Sequence, residues 1–546
     1  MPQTAAQPGA KAQITANDAA VQAIVRTLPD RGMPWDNEGN DAGLFVLPGP
    51  HKLRDKYPTK QDAVADFERM NGKGHNIVFI EQIALQFGHE TAINMVVPIV
   101  IFEKPPYVAD VVVVAHPNDA ERVARLHVKK SVVYGGPSNF LGDGVLATRN
   151  VDSWHEQRTN IVEGFLPLAA LSKVMSVSVK RAEHAVDVRI KQTSNQPFDM
   201  CEFYLFEAMT QLHLALLGET TEFSEANNVK LREAFADMMT GPITLGVKRW
   251  MESRDFIRSF SAQVLAHARD DKGEPTKAAP FRAQAAGCPV VGPVAAKLAE
   301  NIPTSVVNPL SVQRDTASTI SFAGFDTTAL LMTWVTFEMC RRPDLQARLQ
   351  REIDEVYDSL SGRDLQYEDL GRFSFLTRVI NETLRLWTSV PNGTFREIQY
   401  TELIEGPDGN KVELCPGTQV WIPSWLLHRS ERLWGKDALE FNPDREWLPE
   451  ESWFGKTFSG TNPASYRYAP FAYPPRGCIG MNFAQMESRV ILTKAFREFS
   501  FSLADEMKTK LAQSQGDFIG CNRGTMSPAG GLWVIATPRR SSSGKL

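Results

Sequence analysis

A single cysteine in a short loop rich in proline and glycine is the residue of this chain best suited to reactive chemistry. Cys478 lies in the loop from Phe471 to Gly480, and the apolar residues of Met481–Phe499 recur at helical spacing directly after it. Unsatisfied backbone N–H groups and the positive end of the helix dipole favour a thiolate at the start of a helix. This setting predicts that the pKa of Cys478 is depressed and that its sulfur acts as a ligand or a nucleophile.

The residues around Cys478 narrow the kind of centre that it can serve. Arg476, two residues earlier, can hold an anionic group beside the sulfur. The chain contains no Cys-x-x-Cys pair, so a structural zinc site is a poor fit. Iron held by one thiolate fits better, and haem with a cysteine ligand is the known centre of this type. The alternative is a cysteine that fills the core as a small apolar residue.

The loop resembles the cysteine loop of the cytochrome P450 superfamily, whose pattern is Phe-x-x-Gly-x-Arg-x-Cys-x-Gly. Phe471, Arg476, Cys478 and Gly480 match it, and Pro474 stands where the pattern has its first glycine. Because proline has a fixed φ and no N–H, we expect the loop path to differ locally. The resemblance implies haem b as the cofactor, with Cys478 as the axial ligand of the iron and Phe471 and Arg476 among the residues that bind the haem.

A second motif, Ala323-Gly-Phe-Asp-Thr-Thr328, resembles the oxygen-activation motif on the long central helix of that family. The implied chemistry is a relay of protons by an acid and an alcohol, which makes Asp326 and Thr327 the predicted catalytic pair. Thr327 can also donate a hydrogen bond to the carbonyl one turn earlier and open the helix locally. The alternative is a cap at a helix start, but the apolar run Ala329–Phe337 continues a helix already under way.

Two further segments supply predicted contacts to the cofactor. Trp154-His-Glu-Gln-Arg158 resembles the family's Trp-x-x-x-Arg helix, in which two residues one turn apart face a haem propionate. Arg396 matches the position of another arginine that binds a propionate in the family. The resemblance therefore implies that Trp154, Arg158 and Arg396 bind the haem together with the cysteine loop.

Two arginine motifs are predicted to have a structural role. Glu382-Thr-Leu-Arg385 has the spacing that places two side chains on one helix face, which in most proteins marks an ordinary surface ion pair. It resembles the family's Glu-x-x-Arg motif, and Phe441-Asn-Pro-Asp-Arg445 resembles the arginine segment that follows it. The resemblance implies a buried triad of Glu382, Arg385 and Arg445 that locks the cysteine loop in place.

The predicted fold is mainly α with small β-sheets (α+β), a cytochrome P450-like fold with a long central helix over the haem. Because the motifs span Trp154 to Gly480, we expect residues 47–538 to form one catalytic domain. Residues 1–46 are predicted to be a flexible polar extension and residues 539–546 a tail. The chain has 546 residues, 43% of them apolar and 23% charged, and a net charge of −5. Neither overall basicity nor a basic-aromatic motif indicates a nucleic-acid partner.

Local patterns predict the individual elements. Ile93–Phe102 and Ala109–Val114 are typical of a hairpin, Val412–Pro423 and Leu532–Thr537 of short strands, and Arg523–Gly531 of a turn. Asp271–Pro303 is predicted to be an irregular connector. Helices are predicted at Asp119–Leu126, Val151–Phe165, Leu171–Ile190, Phe198–Leu217, Asn227–Met239, Val247–Asp270, Val312–Cys340, Pro343–Ser359, Phe375–Trp387 and Met481–Phe499.

The N-terminal sequence bears on location. Residues 1–40 are polar, with no apolar segment of about 20 residues to cross a bilayer and no signal-peptide core, although Leu47-Pro-Gly-Pro50 resembles the hinge that follows a membrane anchor in the family. The six scattered cysteines favour a reducing compartment. We therefore expect a cytoplasmic or peripherally membrane-associated protein. The C-terminal Ser543-Gly-Lys-Leu546 resembles a peroxisomal address but has glycine where the signal needs serine.

The resemblance implies a monooxygenase that inserts one oxygen atom from O2 into a C–H bond of a hydrophobic substrate. The electrons are expected to come from NADPH or NADH through a separate flavin reductase or ferredoxin, because the chain is too short to hold a fused reductase beside this fold. Arg122, Arg125, Lys129 and Lys130 form a candidate docking face for that partner. Such a run of cations more often marks a solvated helix face.

The substrate is indicated only by local resemblance. Leu141-Gly-Asp-Gly144 and Trp434-Gly-Lys-Asp-Ala438 resemble segments of the fatty-acid and alkane hydroxylase clan, which favours a fatty acid or another long-chain lipid. Sterols and terpenoids remain open. The family implies that the substrate pocket is lined from four regions, the Gly135–Thr148 loop, Ser318–Phe325, Thr388–Thr394 and Arg523–Gly531. Their apolar content suits a hydrophobic substrate.

Two other functions compete with the monooxygenase. An altered cysteine loop is a feature of haem-thiolate isomerases and dehydratases, which rearrange lipid hydroperoxides without O2 or a reductase, so Pro474 gives that alternative some support. Those enzymes typically lack the threonine that Thr327 supplies here. A haem-binding sensor without catalysis is the second alternative, but a passive binder needs no proton relay.

Overall fold

The computed structural model describes residues 93–99, 107–165, 168–240, 245–268, 293–301, 304–405, 411–451, 465–513, 520–522 and 524–539. The predicted N-terminal extension, the proline hinge near residue 48 and the C-terminal tail all lie outside these ranges. Within them the protein is mainly helical with four small sheets, which confirms the predicted fold class.

The helices are numbered in chain order. They are α1 (Pro117–Leu126), α2 (Gly135–Leu141), α3 (Val151–Phe165), α4 (Leu168–Ala185), α5 (Met200–Leu212), α6 (Thr221–Thr240), α7 (Val247–His267), α8 (Pro293–Glu300), α9 (Pro309–Arg341), α10 (Pro343–Ser359), α11 (Ser374–Leu386), α12 (Ser424–Arg429), α13 (Glu431–Trp434), α14 (Met481–Glu498) and α15 (Asp505–Gln513). The ends of α4 and α5 continue as single π-helical turns, Val186–Ile190 and His213–Leu217.

The strands are short. They are β1 (Ile93–Ile99), β2 (Tyr107–Val113), β3 (Pro197–Asp199), β4 (Thr394–Glu397), β5 (Glu402–Glu405), β6 (Lys411–Leu414), β7 (Gln419–Ile422), β8 (Phe499–Leu503), β9 (Gly520–Asn522), β10 (Met526–Pro528) and β11 (Trp533–Pro538). The largest sheet has the order β1-β2-β7-β4, in which β2 and β7 are parallel and the other pairs antiparallel. The remaining sheets are β3-β11-β8, β5-β6 and β9-β10.

The 33-residue helix α9 forms the centre of the fold. Asn308 caps its first turn by accepting a hydrogen bond from the backbone N–H of Ser311, and Pro309 has the fixed φ that suits a first helical position. Most of its residues are buried among the other helices. Among the described residues it is the one helix long and apolar enough to cross a membrane, and 72% of its most apolar window is buried inside the protein.

Helix α9 packs closely on α5 because one residue between them has no side chain. A Cβ on Gly324 would lie 2.5 Å from a methyl carbon of Leu212, so only glycine permits this approach without displacement. Further along, the hydroxyls of Tyr204 and Thr336 are hydrogen-bonded at 2.9 Å. The glycine of the Ala323–Thr328 motif therefore serves the contact between two helices.

Most predicted elements are confirmed, and four are corrected, one of which is the turn predicted at Arg523–Gly531, since it contains the strand β10. The hairpin of β1 and β2 and the helices α3 and α10 have the expected positions. The single strand predicted at Val412–Pro423 is wrong, because β6 and β7 belong to different sheets. Asp271–Pro303 contains the helix α8, and the Gly135–Thr148 loop begins as the helix α2. The sequence did not predict either helix because one stretch is rich in alanine and the other in glycine.

The predicted triad is present and buried. Arg385 donates from Nε and Nη2 to the two oxygens of Glu382 at 2.8 and 2.7 Å, and Arg445 Nε reaches the same carboxylate at 3.3 Å. The remaining Arg385 donors hold the carbonyls of His428, Ala438 and Glu440. These contacts fasten α11 to the segment between His428 and Arg445, which confirms the buried triad that the two motifs predicted.

Replacing Arg385 with leucine is expected to lower the free energy of unfolding by about 3–5 kcal/mol, because the buried carboxylate of Glu382 would lose its bidentate partner and keep the N–H of Asn442 at 3.0 Å and the long contact to Arg445. Urea unfolding followed by circular dichroism measures this change. The matched control is Lys508→Ala, since the pair of Lys508 and Asp505 is exposed and contributes little. Equal effects of the two changes would contradict a locking role for the triad.

Candidate functional site

The loop that carries the cysteine closes on itself. The backbone N–H of Cys478 donates to the carbonyl of Phe471 at 2.8 Å, and Phe471 packs against the hydrophobic core. Ala472 adopts a left-handed conformation with φ of 58°, and the peptide bond between Pro474 and Pro475 is cis. The turn thus forms with proline where the family pattern has glycine.

Cys478 lies two residues before α14, and its sulfur accepts hydrogen bonds from the backbone N–H groups of Gly480 and Met481. Burial nevertheless raises the pKa of the Cys478 thiol, against the opposing effects of these N–H groups and of Arg158. The predicted depressed pKa is therefore wrong for the chain by itself, because desolvation outweighs the helix terminus. The cysteine side chain is exposed although the thiol is desolvated, so its free surface faces an internal cavity rather than bulk water.

The predicted residues of α3 lie directly beside this loop. Arg158 Nη1 donates to the carbonyl of Gly477 at 2.8 Å. Trp154 is buried, and the guanidinium carbon of Arg476 lies 4.4 Å from the centre of its ring. Arg476 also reaches the carbonyl of Thr148 at 3.4 Å. The structure thus brings together Trp154, Arg158 and Arg476 as the sequence predicted.

Arg396 joins this group from strand β4 and is fully buried. Its Nη1 donates to the side chain of Thr394 and to the carbonyl of Phe395. Among the described residues, its Nε and Nη2 have no hydrogen-bond partner, nor do Nε and Nη1 of Arg476. Burial lowers the pKa of Arg396 to about 10, and burial together with the charge of Arg396 lowers that of Arg476 to about 9. Both guanidinium groups are charged at neutral pH.

Lys130 also belongs to this cluster of cations, although the sequence did not predict it there. It is buried, its backbone bridges to Arg396, and its Nζ donates to the hydroxyl of Tyr134 at 2.7 Å. Burial, and then the charges of Arg396 and Arg476, lower its pKa well below the ordinary value. The prediction that Lys130 belongs to a docking face is wrong. No spacing in the sequence signals its inward position, since it follows from the pairing of its segment with β4.

The rest of the predicted docking face is largely neutralised by ion pairs. Arg122 bonds Asp119 and Glu402, Arg125 bonds Glu121, and Lys129 bonds Glu397. A surface whose cations are already paired presents little net positive charge to a partner.

The cations and the cysteine of this site correspond to the propionates and the iron of a haem. No carboxylate among the described residues affects the pKa of Lys130, Arg396 or Arg476, so the cluster lacks anionic partners and suits the two propionates. The cysteine that faces the cavity suits the iron. In the described part of the chain, no group of three His, Cys, Asp or Glu side chains could hold a metal in another way. The residues present therefore fit thiolate-ligated haem.

The central helix α9 supplies the predicted alcohol. Thr327 Oγ1 donates to the carbonyl of Ala323 at 2.9 Å, as predicted, and the carbonyl of Thr327 accepts a hydrogen bond from Ser389 Oγ at 2.9 Å. Ala323 and Thr327 are only partly buried, whereas α9 is buried before Phe322 and after Thr327. This turn of α9 therefore faces an internal space.

The predicted acid has a different set of neighbours from the alcohol. Asp326 accepts a hydrogen bond from Thr525, and burial raises its pKa against the opposing charge of Arg232 on α6. Successive residues of a helix point about 100° apart, so Asp326 and Thr327 face different neighbours. The structure thus gives the two predicted catalytic side chains separate hydrogen-bond partners.

The four regions predicted to line the pocket meet at α9, since Ser389 bonds Thr327, Thr525 bonds Asp326 and Phe140 lies against Phe322. The rings of Phe140, Phe235 and Phe322 form a cluster, with centroids 5.3 Å apart for Phe140–Phe322 and for Phe235–Phe322. Phe325 lies 5.9 Å from Phe235. Phe235, on α6, was missed by the sequence reading because its helix carried no motif.

The Leu141–Gly144 turn packs directly on α9. The N–H of Asp143 donates to a carboxylate oxygen of Asp315 at 3.2 Å. A Cβ on Gly144 would lie 2.5 Å from the carbonyl oxygen of Asp315, and Gly142 has φ of 50°. The glycines of this turn are thus required by the close approach of the helix.

Comparison with known proteins indicates the same family that the sequence motifs resemble. Residues 312–524 match the family Cytochrome P450. The chain is 36% identical over 201 residues to a cytokinin hydroxylase of Arabidopsis thaliana, covering 36% of this chain and 34% of the relative. Another cytokinin hydroxylase of the same plant is 27% identical over 423 residues, which is 72% of this chain and 74% of the relative. An 11-oxo-beta-amyrin 30-oxidase of Glycyrrhiza uralensis is 33% identical over 182 residues, or 33% and 32% of the two chains.

The match to the first and third of these relatives spans about a third of their length. The matched family region includes the central helix, the triad and the cysteine loop, which are the parts that the geometry connects. Residues 312–524 of this chain, which carry these motifs, are thus similar to the cytochrome P450 family.

Proposed function

We propose that this protein is a haem-thiolate monooxygenase that inserts one oxygen atom from O2 into a C–H bond of a hydrophobic substrate. The observation that carries the proposal is the pairing of a cysteine that faces an internal cavity with buried cations that have no anionic partner in the described part of the chain. A haem satisfies both at once, through its iron and its propionates. Two relatives whose names end in hydroxylase support oxygen insertion as the reaction.

The residues that would hold the cofactor follow from the geometry. Cys478 would ligate the iron, and Lys130, Arg158, Arg396 and Arg476 would bind the propionates beside the ring of Trp154. When bound, thiolate-ligated haem supplies the activation of dioxygen. The protein's own part is to position the substrate, exclude water and deliver protons.

Two side chains of α9 are placed to handle protons. Burial raises the pKa of Asp326, so its carboxyl holds a proton to higher pH than an exposed aspartate. The hydroxyl of Thr327 donates to the carbonyl of Ala323 and can turn to donate into the cavity instead. We assign Asp326 as the proton store and Thr327 as the donor nearest to the reaction. The cluster of Phe140, Phe235 and Phe322 would keep water from this space.

The electron donor and the substrate are the finer parts of the proposal. A flavin reductase or a ferredoxin would supply electrons from NADPH or NADH. The aromatic walls and the Leu141–Gly144 turn favour a fatty acid or another lipid as the substrate.

The first test is Cys478→Ser, with the absorption spectrum of the reduced protein recorded under carbon monoxide. The wild type is expected to show the strongly red-shifted Soret band of thiolate ligation, and the variant is expected to lose it. Cys201→Ser, at a buried cysteine of α5, is the control that should retain it. A red-shifted band that persists in Cys478→Ser would show that another residue is the ligand.

Replacing Arg396 with methionine is expected to change stability in opposite directions with and without haem. In the haem-free protein the free energy of unfolding should rise, because an uncompensated buried charge is removed. In the loaded protein haem should dissociate faster, because a propionate loses its partner. Thermal unfolding of both forms and transfer of haem to a scavenger protein measure the two effects. Arg149→Gln is the control, since Arg149 is already paired with Glu397. A lower stability of the haem-free variant would contradict the assigned cluster.

Thr327→Ala is expected to uncouple electron consumption from product and to release more hydrogen peroxide, because the proton donor is lost. The control Thr328→Ala removes a neighbouring hydroxyl that bonds only the carbonyl of Gly324. The measurement is the ratio of product to NADPH consumed. Unchanged coupling in Thr327→Ala would remove this residue from the mechanism. Rapid turnover of a lipid hydroperoxide without NADPH would favour the isomerase alternative.

A further inference from the structure

Ser389 lies on the segment between α11 and β4 and contacts the turn of α9 that carries the predicted proton donor. Its Oγ donates to the carbonyl oxygen of Thr327 at 2.9 Å. The hydroxyls of Thr327 and Thr328 donate to carbonyls of their own helix. Among the described residues, Ser389 is therefore the one side chain of another element that donates to a carbonyl of the Ala323–Thr328 motif. The proposed mechanism gives it no role.

Further hydrogen bonds fix the position of Ser389. Ser389 is 7% exposed, and its carbonyl oxygen accepts a hydrogen bond from the backbone N–H of Met526 at 3.0 Å. The carbonyl oxygen of Met526 accepts a hydrogen bond from Trp334 Nε1 on α9 at 2.7 Å. Trp334 follows Thr327 by about two helical turns, so both lie on one face of α9. These four residues thus form a closed network of hydrogen bonds, which leaves α9 at one turn and returns to it at another.

The segment that carries Ser389 is anchored on both sides of this residue. Before Ser389, the ring of Trp387 stacks on that of Trp334, with centroids 4.1 Å apart. After it, the carbonyl oxygen of Pro391 accepts a hydrogen bond from the backbone N–H of Trp425 at 3.1 Å. The backbone of Ser389 is therefore restrained in both directions, which keeps its hydroxyl beside the carbonyl of Thr327.

The hydrogen bond from Ser389 affects how α9 is held at this turn. In a regular helix the carbonyl of Thr327 accepts from the N–H of Leu331 alone. A donor from outside draws such a carbonyl away from the helix axis and lengthens its bond within the helix. One turn earlier, the carbonyl of Ala323 has the hydroxyl of Thr327 as an additional donor. Two carbonyls one turn apart thus each have a donor besides the backbone, which favours a local opening of α9 at Thr327.

We propose that Ser389 is a positioning residue, whose hydroxyl holds this turn of α9 in the orientation from which Thr327 donates its proton. This assignment rests on the proposed monooxygenase function and adds to it a residue that acts through Thr327. The network also reaches the acid, since Thr525, which bonds Asp326, directly precedes Met526. Ser389 therefore helps to fix the acid and the alcohol relative to each other, although their side chains face different neighbours.

The first experiment tests the contact itself by nuclear magnetic resonance, in the haem-loaded protein reduced under carbon monoxide. Threonine labelled with ¹³C at its carbonyl and with ¹⁵N gives a carbon–nitrogen correlation where two threonines are consecutive, which in this chain are the pairs Thr220–Thr221 and Thr327–Thr328. Ser389→Ala is expected to shift the carbonyl signal of the second pair, because that carbonyl loses a donor, and to leave the first unchanged. Ser178→Ala, at a buried serine whose hydroxyl has no partner among the described residues, is the control that should shift neither.

The second experiment measures the hydrogen peroxide released per NADPH consumed, with hexadecanoate as the probe substrate and a flavin reductase as the electron donor. Ser389→Ala is expected to raise this ratio about 3-fold to 10-fold, the range for the loss of one neutral hydrogen bond. Ser389→Thr should restore most of the wild-type value, because it keeps the hydroxyl. Adding Ser389→Ala to Thr327→Ala should cause no further rise, since Ser389 acts through Thr327, whereas a merely structural role would give additive effects.

The outcomes separate the two proposals. An unchanged carbonyl signal of Thr327 in Ser389→Ala, an unchanged release of peroxide, or a further rise in the double variant would overturn the assignment of Ser389 even if the protein is a working monooxygenase. Absence of the red-shifted Soret band in the wild type would overturn the proposed function. The carbonyl signals of the haem-free protein would then still decide whether Ser389 holds this turn of α9.

Discussion

Buried positive charge without an anionic partner among the described residues is the constraint on which the site depends. Lys130, Arg396 and Arg476 come from three separate segments and lie close enough to lower one another's pKa, and donor atoms of Arg396 and Arg476 have no hydrogen-bond partner in the described part of the chain. Holding such charges together costs free energy unless an anion compensates them. The fold must therefore be stabilised elsewhere to hold the cluster, and binding of an anionic group returns part of that cost.

The compensating stability is visible in the elements that surround the cluster. The Glu382–Arg385–Arg445 triad satisfies its own charges and several backbone carbonyls, so it fastens the cysteine loop without creating a new unpaired group. The long helix α9 is held on the other side by Gly324 against Leu212 and by the stack of Trp334 on Trp387 at 4.1 Å.

The two sides of the site differ in polarity. On the cysteine side, Arg396 and Arg476 have no anionic partner among the described residues, which suits an anionic cofactor. On the side of α2 and α6, the rings of Phe140, Phe235 and Phe322 provide an apolar surface. The charged side therefore matches the anionic groups of a haem, and the aromatic side matches a hydrophobic substrate.

The sequence by itself determined the local chemistry. The spacing of Phe471, Arg476 and Cys478 indicated a thiolate centre, the Glu382–Arg385 pair indicated the triad, and helical periodicity located α3, α9, α10 and α14. These features depend on residues close in the chain, where spacing fixes geometry. Only the tertiary structure decided which cations are buried. The sequence pattern placed Lys130 on the surface, whereas its pairing with β4 buries it. The tertiary structure also showed that desolvation raises the pKa of the Cys478 thiol, and it brought Phe235 against Phe322 and Phe325. Burial and charge compensation arise from contacts between distant segments, and no local pattern records them.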